Sequence, residues 1–266
     1  MAAVRYRIGK AAWTLAKAHH AEFPSDGSHL ERYAARFSAV EINSSFYRAH
    51  RPATYARWAA SVPPDFSFSV KVPKAITHKA RLVDAESLLD AFLAEASCLG
   101  PKLGCLLVQL PPSLAYEAEP ADTFFRALRA RYDGAIAFEP RHPSWFTPDA
   151  TAVLPGHRVA RVAADPAPVP AAAEPAGCSD VVYYRLHGSP RIYYSAYDDA
   201  YLDNLADRMR RASEVANEVW CIFDNTALDE AIPNALALTA RLSLPGRAAK
   251  AVRGRAPDRD RRRRTS

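Results

Sequence analysis

Long apolar runs are missing from this chain of 266 residues. None approaches the roughly 18 consecutive apolar residues that a membrane-spanning helix needs, so no membrane partner is expected. The residues from Met1 to Gly9 also lack the apolar stretch of a secretory signal, and a cytoplasmic location is expected. Cysteine is scarce. Cys98, Cys105, Cys178 and Cys221 are scattered and form no C-x-x-C pair, which argues against a disulfide framework or a thiolate zinc cluster and for buried free thiols. Nucleotide signatures are absent too: neither G-x-G-x-x-G nor G-x-x-x-x-G-K-[ST] occurs, and no G-x-S-x-G elbow presents a serine nucleophile. Nor is there an excess of charge on the body of the chain. The net charge is +6, but residues 246–266 alone carry +7, leaving −1 for the rest. Any attraction to nucleic acid that this charge produces belongs to that tail.

What is present is ordinary globular material, 49% hydrophobic and 24% charged, in a length that suits one α/β barrel of about 250 residues. Strand-like runs occur at 5–8, 39–42, 66–70, 103–109, 135–138, 158–163, 181–186 and 218–223. Helical patterns fall between them at 28–36, 53–61, 84–99, 121–131, 148–154, 198–216 and 231–242, with Asp84 a candidate N-cap and Gly100 a candidate stop. Eightfold alternation predicts parallel strands and a single (β/α)8 TIM-type barrel over residues 1–245. A doubly wound open sheet is the alternative. Residues 165–177 are too rich in proline for a helix and predict an irregular connection after the sixth strand. Residues 246–266 have too little apolar material to fold and are expected to be disordered.

The strand ends carry the chemistry. The fifth run is apolar until Glu139, Arg141 and His142, held between two prolines. Glu41 and Asn43 follow the second run with Tyr47 just beyond, Lys71 follows the third with His78 on its loop, and Gln109 ends the fourth. Asp165 ends the sixth, Arg185 and His187 share a face at the end of the seventh, and Asp224 and Asn225 end the eighth. In a barrel these ends converge on one mouth. Three cations there, Lys71, Arg141 and Arg185, suggest a phosphate-, carboxylate- or nucleotide-like anion. Tyr47, Trp145, Tyr193, Tyr194 and Tyr197 could wall it.

The motifs EINSSFY at 41–47, FSVK at 68–71 with TH at 77–78, QLPP at 109–112, FEPRHPSW at 138–145, YRLHG at 184–188 and FDNT at 223–226 occur in order. In this the chain resembles the YecE-like family, domain of unknown function 72, from about Ile8 to Leu242. The resemblance implies a TIM-type barrel and no established activity. The Pro/Ala segment after Asp165 and the Arg-rich tail look like additions to the family pattern.

The leading functional expectation is acid–base chemistry on a small anion. Glu139, His187 and Asp224 are its catalytic candidates, and Glu41, Asn43, Tyr47, Lys71, His78, Gln109, Arg141, His142, Asp165, Arg185 and Asn225 its substrate-binding candidates. No cofactor is expected. A divalent metal on Glu41, Glu139, His142, Asp165, His187 and Asp224 is the alternative, against which stand the missing H-x-H, H-x-x-H and H-E-x-x-H spacings and the neighbouring cations. Two further alternatives are a nucleic-acid-binding protein, with or without metal-assisted cleavage, and a barrel that binds a ligand without turning it over. A self-satisfied salt-bridge network is the purely structural alternative for the cluster.

Overall fold

The computed structural model describes residues 5–243. The tail expected to be disordered lies outside the described residues. Ten strands and seven helices succeed one another as β1 (Arg5–Lys10), α1 (His29–Ala34), β2 (Ala39–Ile42), α2 (Pro52–Ala60), β3 (Ser67–Lys71), α3 (Glu86–Ala96), β4 (Leu103–Gln109), α4 (Ala118–Arg129), β5 (Ala135–Glu139), α5 (Pro148–Gly156), β6 (Val159–Arg161), β7 (Ala163–Asp165), β8 (Ala176–Gly177), β9 (Val181–Leu186), α6 (Asp199–Ala212), β10 (Glu218–Phe223) and α7 (Ala231–Ser243). The strands form two sheets, ordered β1-β10-β9-β7 and β2-β3-β4-β5-β6-β8. Every ladder is parallel except that of β8 on β6.

The described ladders therefore form two sheets where the sequence predicts one closed barrel, and two local features explain the seams. Between β1 and β2 the Tyr33 hydroxyl sits in the ladder, accepting from Lys10 N at 2.8 Å and donating to the Ala39 carbonyl at 3.0 Å. The strands approach so closely here that a Cβ on Gly9 would lie 1.9 Å from the Ala39 carbonyl oxygen, which only glycine permits. One parallel bridge, Ala11 to Glu41, joins them further on. The second seam divides the expected sixth strand. Its first half, β6, pairs with β5, and its second half, β7, pairs with β9, with Val162 N donating to the Phe138 carbonyl between them.

Helices cover the outside because their apolar stripes match it. In α4, Ala121, Phe124, Phe125 and Leu128 recur at helical spacing and are buried, while Arg126 on the opposite face pairs with Asp122. An outer core lies between helices and strands, and a separate inner one gathers Ala39, Cys105, Leu107, Ala137, Tyr183 and Trp220. One local expectation is corrected. Asp84 does not cap α3; it adopts φ +48°, and the N-cap is Ala85 without a side-chain hydrogen bond. Gly100 does break the turning that follows α3: its φ +59° and ψ −136° are non-helical and kink the stretch Ser97–Lys102. The proline-rich connection contains a short turn, Pro170–Ala173, and β8. Of the thiols, Cys105 and Cys221 are buried while Cys98 and Cys178 are partly exposed. Among the described residues no helix is long and apolar enough to cross a membrane.

Candidate functional site

Arg185, the penultimate residue of strand β9, organises the site. It is 0% exposed, and a buried guanidinium is tolerable only when its donors are met by charge. Its Nε and one terminal nitrogen grip Glu41 at 3.0 and 2.7 Å, a two-point contact from β9 to the carboxylate on β2. The other terminal nitrogen donates to Glu139 Oε2 at 3.2 Å, and Asp224 Oδ2 lies 2.9 Å from the guanidinium. Four strands are thereby tied together at their C-terminal ends.

A second layer completes the network. Arg141 donates twice to Glu139 Oε1, at 3.1 and 3.0 Å, reaching back from the loop after β5. His187 bridges two carboxylates, with Nε2 3.1 Å from Glu139 Oε1 and Nδ1 3.2 Å from Asp224 Oδ2. Tyr183, two residues before Arg185 on the same face of β9, donates toward Glu41 Oε2 at 3.1 Å and Ser69 Oγ at 2.9 Å.

The electrostatics follow. Burial pushes the Glu139 carboxyl up, but Arg185, then His187 and Arg141, outweigh it and hold the group well below the usual carboxylate range. Asp224 is lowered in the same way, burial opposing and Arg185 prevailing. Burial disfavours the His187 imidazolium, yet Glu139 and Asp224 raise its pKa on balance. Arg185 is driven well above its ordinary value by Asp224, Glu41 and Glu139, against burial.

Two lysines stand outside this pairing. Lys71, the last residue of β3, is 6% exposed; its ammonium lies 4.3 Å from the centre of the Phe46 ring. Lys10, the last residue of β1, is 3% exposed. Among the described residues neither side-chain nitrogen makes a hydrogen bond or an ion pair. Burial first, and for Lys71 also Arg185, lowers each from 10.5 to about 8. Lys10 is the site residue that the sequence reading missed.

The other expected residues lie in different surroundings. His142 faces Ser144, 2.8 Å away, and caps the turn Pro143–Phe146. Asp165 accepts from the Tyr197 hydroxyl at 2.9 Å. Asn225 donates to the Ser195 carbonyl and to Asn234, both at 3.0 Å, fastening the loop after β9. Gln109 donates to the adjacent Leu110 carbonyl at 3.3 Å, and His78 bonds the Thr77 hydroxyl at 2.9 Å with its ring against Phe46. Asn43 keeps a buried side-chain oxygen without a partner. Tyr47 is 66% exposed and lines an adjoining cleft. Among the described residues no group of three His, Cys, Asp or Glu side chains is placed to hold a metal ion. The expected metal candidates are divided, with Glu41, Glu139, His187 and Asp224 around the Arg185 guanidinium and His142 and Asp165 in contacts of their own.

Parallel strands that bring charged side chains from their C-terminal ends to one buried cluster define an α/β protein with a strand-end polar site. More particularly, the chain belongs to the family described as "Protein of unknown function DUF72", whose model matches residues 7–260. It is 34% identical over 118 residues to the UPF0759 protein YecE of Escherichia coli K12, and 29% identical over 125 residues to the UPF0759 protein YunF of Bacillus subtilis. Those matches span 44% and 45% of this chain and 43% and 44% of the relatives, so less than half of either relative's length is covered. Solved DUF72 proteins of Enterococcus faecalis and Thermotoga maritima share the fold at TM-scores of 0.76, with 23% and 22% identity. Each covers 90% of this chain, with 96% and 100% of the neighbour aligned.

Proposed function

We propose that this protein is an enzyme that binds a small phosphate-, carboxylate- or nucleotide-like anion at the C-terminal ends of its strands and moves protons on it. One observation carries the reading. Glu41, Glu139 and Asp224 are met by Arg185, Arg141 and His187, while the ammonium groups of Lys10 and Lys71 make no hydrogen bond or ion pair among the described residues and feel carboxylates, Asp229 and Asp224 for Lys10 and Glu41, Glu139 and Asp224 for Lys71, only at longer range. Ammonium groups on largely buried lysines that lack a hydrogen-bonded partner are costly, and a site that keeps two of them open to solvent fits a ligand that brings negative charge. Two positive charges suit a dianion such as a phosphate ester.

The proposed architecture is a closed barrel of eight strands, β1, β2, β3, β4, β5, β6 with β7, β9 and β10. Its seams would be closed by the Ala11–Glu41 bridge with Tyr33 and by the passage through Val162. In that barrel His187 is the proton donor, since Glu139 and Asp224 favour its imidazolium against the cost of burial. Glu139 and Asp224 set that proton's affinity from either side of the ring, and Lys71 and Lys10 hold the anion. Glu139, held ionised by its cations, keeps its charge beside the His187 ring and positions that proton instead of accepting it.

The test is a panel of phosphate esters, nucleotides and carboxylates at constant ionic strength, read by thermal stability and then by turnover. A stabilising anion whose effect disappears in Lys71→Met, and whose turnover disappears in His187→Gln with binding retained, is the expected result. Binding retained at wild-type strength in Lys71→Met, or turnover unchanged in His187→Gln, would contradict the assignment.

A further inference from the structure

A well-formed cleft lies beside the charge cluster, not on it. It lies between the loop after β2, the loop after β3 and helix α3, and its volume is ≈ 260 Å³. That is just below the roughly 300–1,000 Å³ of ordinary small-ligand pockets, so its occupant must be small. Phe46 separates the two places: its ring carries the Lys71 ammonium and the His78 edge, and the residue also lines the cleft.

Three features of the cleft point to the same ligand chemistry. Its walls are apolar, formed by Phe46, Ile76, Leu88 and Phe92. Its charged lining is unbalanced, with Arg48, Lys74 and Lys79 against the single carboxylate of Glu95. Tyr55, which also lines it, is 0% exposed, and its hydroxyl is buried with no hydrogen-bond partner. Buried hydroxyls are ordinarily satisfied, because leaving one unmade costs about 1–3 kcal/mol. Burial, and then the charge of Glu95, holds that phenol protonated, so it remains a donor in search of an acceptor. Glu95 spends part of its accepting capacity on the His50 backbone N–H at 3.3 Å, and can take one more donor.

We propose that this cleft is a second binding site, for a small hydroxyl-bearing aryl or acyl carboxylate. The apolar body packs on Phe46, Ile76 and Phe92, and the carboxylate faces Arg48, Lys74 and Lys79. The ligand hydroxyl accepts from Tyr55 and donates to Glu95. The pairing explains why a carboxylate and an unpartnered phenol line one otherwise apolar and cationic cleft. The site stands independently of the anion site, because none of Lys10, Lys71, Glu139, Arg185 or His187 lines it.

The test uses 4-hydroxyphenylacetate as the probe and phenylacetate as its partner lacking the hydroxyl, titrated into the full chain and followed by amide NMR shifts. Expected shifts map to 45–49, 73–79 and 88–95, with the hydroxylated probe binding about fivefold more tightly. Tyr55→Phe should remove that fivefold preference and leave phenylacetate binding unchanged, whereas Lys74→Gln with Lys79→Gln should weaken both probes. Leu88→Asp, at a cleft wall residue that is 37% exposed, serves as the second variant: it should weaken binding of both while the anion response of the central cluster persists. Shifts centred on Arg185 and His187 would overturn the proposal, as would equal binding of the two probes. So would a Tyr55→Phe variant that keeps the hydroxyl preference, since Tyr55 would then be meeting water alone.

Discussion

The two ends of the strands both bury charge, and they do so differently. At the N-terminal end Arg7, 6% exposed, donates to Glu218 at 3.3 and 3.0 Å and to the Asp65 carbonyl, while Trp220 Nε1 donates to the other oxygen of Glu218 at 3.1 Å. Arg7, with the exposed Arg5 at 3.8 Å, meets one carboxylate, and both of its oxygens are used. At the C-terminal end the network around Arg185 is as tightly bonded, but Lys10 and Lys71 are added to it without partners. A matched pair is what structure alone requires. An unmatched surplus, kept in spite of its cost, is the mark of a place that waits for something else.

The most severe way to break this comparison is to remove the cation that both accounts need. Arg185→Met leaves Glu41, Glu139 and Asp224 buried without their shared counter-ion, and should cost about 3–5 kcal/mol in urea unfolding. A loss below about 1 kcal/mol would mean that the network does not hold the strand ends together.

Lys71→Met should act in the opposite direction. The lysine is held at about 8 in the fold and has an ordinary value of 10.5, so the unfolded chain binds the extra proton between those limits. Stability therefore rises with pH from about 8 to 10.5, and below 8 the charged lysine costs the fold about 3 kcal/mol. The variant should be more stable than the wild type by about that amount at pH 7, in unliganded protein, and equal to it at pH 10.5. Destabilisation at pH 7 would show that Lys71 is a paired structural cation like Arg7.

Glu218→Gln sharpens the contrast from the other end. It leaves Arg7 with half of its partner, and should cost roughly 1–3 kcal/mol with no dependence on added anion. A phosphate-dependent change in that variant would place the anion at the wrong end of the strands. The smallest expected effect concerns the basic tail. If nucleic acid is bound through residues 246–266, deleting them should weaken association with duplex DNA and flatten its salt dependence, because their +7 supplies the phosphate contacts. An unchanged slope would assign any such binding to the strand ends.

Much of this was legible in the chain. Strand alternation alone put Glu41, Lys71, Glu139, Arg185, His187 and Asp224 at strand ends, because side chains two apart share a face and apolar runs stopped there. Alternation ceases where strands stop, so it could not say that His142 would turn to Ser144, Asp165 to Tyr197 or Asn225 to Asn234. Lys10 was lost because Gly9 reads as a strand breaker. In the fold Gly9 continues β1, since the Ala39 carbonyl passes where a side chain would be. The Tyr33 hydroxyl inside a β ladder has no sequence signature, and it is one reason that the ladders divide into two sheets. The cleft beside Phe46 was invisible for a simpler reason: its walls come from four segments, 45–49, Tyr55 of α2, 73–79 and 88–95, each unremarkable by itself.

The measurement that bears most directly on the surplus of cations is urea unfolding at pH 7 against inorganic phosphate concentration, with ionic strength held constant by chloride. The wild type should gain stability in proportion to the logarithm of phosphate above its dissociation constant, as a ligand of the native state must. The Lys10→Met, Lys71→Met double variant should start more stable and gain nothing. Equal gains in both proteins, or none in the wild type, would contradict the account and leave the strand-end cluster as a structural network.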